Sequence, residues 1–168
     1  MRRVLACLPL LVLAAATGLL LAQAPKKYTG PKPPKTDTPY LLHASTLVPL
    51  ETGTAAEESR KDETANVVKG ASSTARTPLA EPIFLLASEK LVPEKLELYR
   101  VTVSKSGNRE VAVPKNAKKM KDAVKPIRLS VAKLEGSLFR LEATEALEIG
   151  SYCLSPSGSQ DVYCFDVY

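Results

Sequence analysis

From residue 82 to the C-terminus, short apolar runs alternate with turn residues roughly every eight to twelve positions. This spacing is typical of an antiparallel β-sandwich or barrel, in which each short strand buries one face. No long helical period competes with it. We therefore predict an all-β fold, with these strands in this part of the chain: Ile83–Ala87, Leu96–Ser104, Glu110–Val113, Pro126–Lys133, Leu138–Ala143, Ser151–Ser155 and Val162–Tyr168.

The pattern is weaker before residue 82. Tyr40–Leu50 is apolar enough to form a first strand, whereas residues 51–80 are mostly polar, with a single pair of adjacent valines to bury. Within them, Thr54-x-x-Glu57 matches a capping box, which predicts a short helical turn over Ala55–Lys61. The rest of 51–80 is predicted to include a surface loop.

Burial selects the register of one hairpin. A three-residue loop at Leu134–Gly136 places Gly136 at the left-handed position that such loops need. It also keeps the apolar residues of both strands on one face, whereas a two-residue loop at Glu135–Gly136 would set them against charged residues. The predicted opposite pairs are Val131 with Phe139, Leu129 with Leu141 and Ile127 with Ala143.

The C-terminal hairpin places two cysteines opposite each other. With Gly158 and Ser159 at the centre of the turn, Cys153 faces Cys164. Opposed Cβ atoms at such a site are about 4.5 to 5.5 Å apart, which strand twist brings within reach of a disulfide. We therefore predict a Cys153–Cys164 disulfide. On the other face of the same hairpin, the predicted pairs are Tyr152 with Phe165 and Leu154 with Tyr163.

The first 24 residues predict export. Arg2 and Arg3 precede an apolar run over residues 4–22, and Ala22-Gln23-Ala24 is the small-x-small pattern of a signal-peptidase site. Residues 1–24 are therefore predicted to be a helical signal peptide cleaved after Ala24, so that the mature chain is periplasmic or secreted. The alternative is an uncleaved membrane anchor, because the 19 residues of the run are close to the roughly 20 that span a bilayer.

Composition then limits the partners. Residues 25–39 hold five prolines and four lysines, which favours an extended linker ahead of a single sandwich domain over residues 40–168. Removing Arg2 and Arg3 lowers the formal net charge from +5 to +3, too weak a charge to indicate a partner. Few aromatic residues, no tryptophan and one histidine make nucleic acid, a metal ion or another cofactor poor candidates. An oxidising compartment favours pairing of the two cysteines that remain.

The C-terminus resembles the closing strands of immunoglobulin-like sandwiches. Residues 147–152 match their Leu-x-x-Gly-x-Tyr corner, and residues 165–167 match their last strand. The resemblance implies an immunoglobulin-like β-sandwich with Gly150 and Tyr152 at a structural corner. The same strands are similar to those of periplasmic copper carriers. Those carriers bind copper through histidines at two positions, whereas the only histidine here is His43, so no metal site is implied.

No catalytic group is predicted. Ser130 and Lys133 match a Ser-x-x-Lys spacing, but residues three apart on a strand point to opposite faces. His43 has no recognisable partner and is interpreted as a strand residue. Asp161 and Asp166 flank the last strand, and Asp166 is expected on the cysteine face with a solvated role.

Five lysines form what we call the lysine loop: Lys115, Lys118, Lys119, Lys121 and Lys125. Like charges at close spacing focus a field, so this loop would attract an anionic polymer or anionic lipid headgroups. The alternative interpretation is a solvated loop that opposes aggregation.

These features favour an exported, non-enzymatic binding or accessory domain of the cell envelope. Its partner would be an unidentified envelope protein or anionic polymer, contacted through a sheet edge or the lysine loop. The chain is broadly similar to small exported bacterial proteins with a Gly-x-Tyr ending, a class that carries no activity over. The alternative is a periplasmic small-molecule carrier or an envelope hydrolase. A deep pocket that holds His43 with a carboxylate, or a bound ligand, would favour the alternative, and a solid sandwich without a pocket would favour the first hypothesis.

The disulfide is testable by intact mass. We expect an alkylating reagent to label neither Cys153 nor Cys164 in the native protein, and to label both after reduction, because a disulfide leaves no thiolate to react. Immediate labelling of both thiols in the native protein would contradict the pairing.

Overall fold

A computed structural model describes residues 27–116, 121 and 123–168 of the chain. The predicted signal peptide, and Lys118 and Lys119 of the lysine loop, lie outside the described residues. The described chain is all-β, as predicted, and its strands form two antiparallel sheets. A 3-10 turn, Pro93–Lys95, is the longest helical element in this part of the chain.

The strands after residue 82 are confirmed, each with ends within three residues of the prediction. In chain order the strands are β1 (Tyr40–His43), β2 (Thr46–Pro49), β3 (Glu51–Thr54), β4 (Ala56–Ser59), β5 (Glu63–Val68), β6 (Arg76–Thr77), β7 (Ile83–Ala87), β8 (Leu96–Val103), β9 (Arg109–Pro114), β10 (Leu129–Glu135), β11 (Leu138–Ala143), β12 (Gly150–Pro156) and β13 (Asp161–Val167).

The larger sheet closes on itself. Its strand order is β3-β13-β12-β8-β9-β5-β4, with the short β6 paired in parallel with the end of β13. β3 and β4 stand at opposite ends of this order, yet only Ala55 separates them along the chain. Residues 51–59 are therefore one bent strand whose first half pairs with β13 and whose second half pairs with β5. The sheet becomes a six-stranded antiparallel barrel.

The barrel wall is apolar on both faces because each face covers a different core. The outer face of β8, β12 and β13 packs against the smaller sheet, which has the order β10-β11-β7-β1-β2. Phe165 lies in this main core, with its ring centroid 5.1 Å from that of Phe84 and 5.6 Å from that of Tyr152. The inner face of the barrel forms a second core around Cys153 and Cys164.

The C-terminal hairpin has the predicted register and the predicted disulfide. Cys153 lies opposite Cys164, and their sulfur atoms are bonded. Both residues are buried, at 3% and 1% exposure. The pairs on the other face, Tyr152 with Phe165 and Leu154 with Tyr163, are also confirmed.

The predicted register of the other hairpin is wrong by two residues. Val131 lies opposite Leu141 and Lys133 opposite Phe139, because the turn is at Gly136 and Ser137. A β-bulge between Lys133 and Glu135 absorbs the extra residue. A shift of two residues preserves the faces, which is why burial alone did not exclude the predicted register.

The predicted helical turn over Ala55–Lys61 is wrong. Glu57 lies in β4 opposite Asn66 of β5, so the capping-box residues belong to a strand. A capping box is a local preference of weak energy, and pairing with β5 supplies a ladder of backbone hydrogen bonds that outweighs it. Residues 51–68 are thus mainly strands rather than loop.

The predicted single strand over Tyr40–Leu50 is two strands. β1 and β2 pair as a hairpin in which His43 lies opposite Thr46. Ala44 makes the turn with a φ of 52°, a left-handed conformation that a non-glycine residue seldom adopts. The apolar pattern gave no sign of this turn because alanine is not a typical turn residue.

The Pro/Lys-rich segment contacts the domain near its end. One carboxylate oxygen of Asp37 accepts three backbone N–H groups at 2.9 Å, from Glu89, Lys90 and Leu91. Lys32 also forms an ion pair with Glu135. Burial acts to raise the pKa of Asp37, but the three backbone hydrogen bonds outweigh it and hold the pKa below its ordinary value.

One end of the barrel is closed by buried charges. Arg109 of β9 is fully buried, and its Nη2 lies 2.6 Å from Glu51 Oε1 on β3. The same guanidinium donates to the carbonyls of Lys69 and Gly70 in the loop after β5, each at 3.0 Å. The guanidinium has enough N–H donors to contact β3 and this loop at once, and its charge pairs with Glu51, so Arg109 links three segments of chain at this end of the barrel.

Asp166 belongs to the same closed end. It lies on the cysteine face, as predicted, but the predicted solvated role is wrong, since its exposure is 7%. Its carboxylate accepts the Ser73 backbone N–H at 2.9 Å and the Ser151 hydroxyl at 2.7 Å. The loop after β5 covers this carboxylate, a contact that the local sequence does not encode.

We expect Glu51→Gln to lower the free energy of unfolding at pH 7 by about 2 to 3 kcal/mol, because it leaves a buried guanidinium without its countercharge. Burial alone would raise the pKa of Glu51, but hydrogen bonds from Arg109 and Ser73, together with the Arg109 charge, hold the pKa below its ordinary 4.5. The contribution of Glu51 is therefore complete above pH 4.5 and is lost as the pH falls through the lower folded-state value.

Urea unfolding of both proteins at several pH values measures this effect. The gap between wild type and Glu51→Gln should shrink as the pH falls below 4.5. Glu58→Gln is the matched control, because Glu58 forms an exposed ion pair with Arg60, whose loss should cost less than about 1 kcal/mol. Equal losses in the two variants would contradict the assigned role of Glu51.

Candidate functional site

A cavity of about 320 Å³ lies inside the barrel, at the end away from Arg109. Arg109, Val111 and Val113 alternate along β9 and so share its inner face. Arg109 closes one end, whereas Val111 and Val113 line the cavity. Cys153 and Val162 line it from the opposite side of the barrel, which places the disulfide in the cavity wall.

The cavity exists because two strands separate and because the inner side chains are short. β8 and β9 pair only at Thr102–Val103 and 109–110, next to their connecting turn. Beyond that point the chain ahead of β10 partly fills the gap: the Ile127 amide donates to the Leu98 carbonyl at 2.7 Å, and Val124 lines the cavity. The inner face otherwise carries mostly valine, alanine and serine, which are too short to meet across the barrel.

Asn66 is the least expected residue of the cavity wall. It lies in β5 directly opposite Val111, so both side chains point to the same face. Its carboxamide oxygen is buried and has no hydrogen-bond partner in the described part of the chain. A buried carbonyl oxygen without a donor costs about 1 to 3 kcal/mol, so an unliganded domain would be more stable with an apolar residue here. Such a cost is typical of a functional position.

Glu97 and Tyr99 form the polar part of the cavity lining. Both lie on the inner face of β8, and the Tyr99 hydroxyl donates to Glu97 Oε2 at 2.7 Å. Burial, followed by the hydrogen bond and negative charge of Glu97, raises the pKa of Tyr99 to about 12. Tyr99 is therefore a neutral donor at physiological pH, and Glu97 supplies a negative charge at the cavity.

The sequence-predicted site residues are brought together only in part. Cys153 lines the cavity, whereas Tyr152 points to the other face of β12 into the main core. The Tyr152 hydroxyl donates to the Glu148 carbonyl at 2.9 Å, just before Gly150 begins β12. This hydrogen bond spans the corner and leaves the hydroxyl engaged away from the cavity.

The lysine loop is described only in part. Lys115 Nζ donates to the Ser59 hydroxyl at 2.7 Å and to the Arg60 carbonyl, which ties the start of the loop to β4. Lys121 and Lys125 are exposed. Of the three lysines of this loop that the structure describes, Lys115 is thus the one that contacts the barrel.

The other candidate groups lie in the smaller sheet. His43 is in β1, with its Nε2 2.8 Å from Thr77 Oγ1. Ser130 and Lys133 lie in β10, where Ser130 is opposite Glu142 and Lys133 opposite Phe139. These residues therefore belong to a different sheet from the cavity.

Sequence reasoning missed Asn66, Glu97 and Tyr99. The sequence did contain a signal of a second interior. Apolar residues occupy alternate positions of 97–103 and 109–114, and the other face of the first of these segments also carries the apolar Leu98. Strands that are apolar on both faces indicate two cores rather than one. That signal predicts a second interior but does not identify the polar residues placed in it.

Among the described residues, no group of three or more His, Cys, Asp or Glu side chains is arranged to hold a metal ion. The same part of the chain contains no helix long and apolar enough to cross a membrane. Comparison with models of protein families, with curated proteins and with solved structures gives no match.

We expect Asn66→Leu to raise the free energy of unfolding of the unliganded protein by about 1 kcal/mol, because it removes a buried oxygen that lacks a donor. Urea unfolding measures the change. Asn108→Leu is the matched control, since the Asn108 side-chain oxygen accepts the Gly70 N–H at 3.2 Å and its loss should destabilise the protein. A loss of stability in Asn66→Leu as large as that in Asn108→Leu would contradict the unpaired state of Asn66.

Proposed function

We propose that this protein is an exported, non-enzymatic binding protein that holds a small, mainly apolar molecule inside its barrel. The observation that carries the proposal is the cavity of about 320 Å³ between the disulfide and the inner face of β9. Ligand cavities in proteins typically have volumes of about 300 to 1,000 Å³ and mostly apolar walls. The proposal corresponds to the carrier hypothesis, but the pocket that supports it holds Glu97 and not His43 with a carboxylate.

The size of the cavity limits the ligand. An engineered apolar cavity of about 150 Å³ holds a benzene molecule. A cavity of about 320 Å³ is roughly twice as large, which fits a molecule with two fused or linked rings, or a branched aliphatic molecule of similar volume. The apolar walls would then supply most of the affinity through burial of ligand surface.

The chemistry of the lining favours binding over catalysis. Glu97 and Tyr99 are the titratable side chains among the described lining residues, and they are hydrogen-bonded to each other. Cys153 is held in the disulfide and cannot act as a nucleophile. An acid–base pair or an activated nucleophile is the usual requirement of a hydrolase, so we place the hydrolase hypothesis second.

Export is part of the proposal. The leader over residues 1–24 carries the signal-peptide pattern, and the disulfide is of a kind that persists in oxidising compartments. A periplasmic or secreted protein of this kind would bind its ligand outside the cytoplasm.

The proposal predicts that the neutral fluorescent probe N-phenyl-1-naphthylamine binds the wild-type protein with an increase in fluorescence. Val111→Phe should weaken binding at least about tenfold, because a phenyl ring at this position occupies the cavity. Fluorescence titration gives the dissociation constants.

Val103→Phe is the matched control. Val103 lies in β8, is 52% exposed and is not part of the cavity lining, so its substitution should change probe affinity by no more than about twofold. Unfolding midpoints of both variants establish that they are folded. Absence of probe binding to the wild type, or equal binding to wild type and Val111→Phe, would overturn the proposal.

A further inference from the structure

The cavity contains a buried hydrogen-bond acceptor without a partner but no such donor among the described residues, and this asymmetry limits the ligand further. The buried polar atom without a partner, Asn66 Oδ1, is a hydrogen-bond acceptor. A ligand that offered only acceptors would leave this oxygen unsatisfied and add its own buried acceptors. A ligand that carries an N–H or O–H donor would remove the cost instead.

The charge of the lining also favours a ligand that carries hydrogen-bond donors. Glu97 is the charged side chain among the described lining residues. It forms no ion pair with another described residue, and the partner of its carboxylate is the neutral Tyr99 hydroxyl. A carboxylate accepts several hydrogen bonds, so Glu97 retains the capacity to accept from a ligand.

The serine hydroxyls of the lining do not compete for this role. Ser155 donates to the Asp161 carbonyl at 2.9 Å, and the Ser159 hydroxyl accepts the Asp161 N–H at 3.0 Å. Gln160 is exposed at the turn, and its backbone carbonyl already accepts the Ala55 N–H at 2.8 Å. The buried hydrogen-bonding capacity that remains inside the cavity is therefore that of acceptors, since the Asn66 carboxamide nitrogen, which carries donors, is not among the buried atoms of the described residues that lack a partner.

From this asymmetry we infer that the ligand is an organic ammonium compound, with an apolar body in the barrel and an N–H-bearing cation directed to Glu97 and Asn66. The inference rests on the proposed function, because it names the ligand class of the same cavity. An ammonium group carries donors and no acceptor, which matches the unpaired oxygen and the negative charge together. Valines and the disulfide would surround the apolar body.

The test uses four probes that share one bicyclic body and differ only in the polar group. They are 1-naphthylmethylammonium, 1-naphthalenemethanol, 1-methylnaphthalene and 1-naphthylacetate. We expect the ammonium to bind wild type at least about tenfold more tightly than methylnaphthalene, the alcohol to lie between them and the acetate to bind most weakly. Displacement of N-phenyl-1-naphthylamine gives the four dissociation constants.

Two variants assign the preference to its residues. Glu97→Gln should reduce the ammonium preference over the alcohol by about tenfold, since it removes the charge and keeps an acceptor. Asn66→Leu should weaken the ammonium and the alcohol alike and leave methylnaphthalene unaffected. Glu94→Gln is the control, because Glu94 is an exposed carboxylate on the turn before β8 and outside the cavity lining, and its loss should leave the preference unchanged.

The outcomes separate the two proposals. Binding of no naphthalene probe and no N-phenyl-1-naphthylamine would overturn the proposed function itself. Binding of methylnaphthalene or naphthylacetate as tightly as the ammonium would leave the apolar cavity function standing and overturn the ligand class. This second outcome is read from the wild-type protein alone, so it does not depend on whether either variant folds.

Discussion

The structure depends on one short stretch of chain, residues 51–59, which pairs with a different strand on each side of Ala55. An ordinary edge strand has one partner and one free edge. This strand takes β13 as its partner in its first half and β5 in its second, and so joins the two ends of the sheet. Without the bend at Ala55 the sheet would be open, and its inner face would lie against solvent.

Closure of the larger sheet into a barrel explains why β13 is apolar on both of its faces. β13 is buried along nearly its whole length, because its outer face covers the main core and its inner face covers the barrel interior. Phe165 and Cys164 are adjacent in sequence and belong to different cores. The disulfide therefore lies inside the molecule, where it covalently links two neighbouring strands of the barrel wall and lines the cavity.

The two ends of the barrel differ in how their polar groups are satisfied. At the closed end, the Arg109 guanidinium and the carboxylates of Glu51 and Asp166 are hydrogen-bonded to neighbouring strands and to the loop after β5. At the other end, Asn66 Oδ1 has no partner among the described residues, and Glu97 has a single neutral one. In the proposed function, the first end would contribute stability and the second would bind the ligand.

The sequence predicted the parts that depend on local alternation. The strands after residue 82 and the cysteine pair follow from apolar positions two residues apart and from a Ser-Gly turn. The strands over 51–68 could not be predicted in this way, because Glu57, Glu58 and Glu63 have few apolar neighbours and their pairing is set by distant strands. The cavity could not be predicted for the same reason, because Asn66 and Glu97 lie in different strands and line one cavity only when the sheet closes into a barrel.

The most direct test of this account is a crystal structure determined under xenon gas, because xenon occupies apolar cavities that are open to a small atom. The account predicts xenon density inside the barrel, between the disulfide and Val111. A barrel interior without xenon, in which Val111 and Cys153 are in van der Waals contact across a filled core, would contradict it.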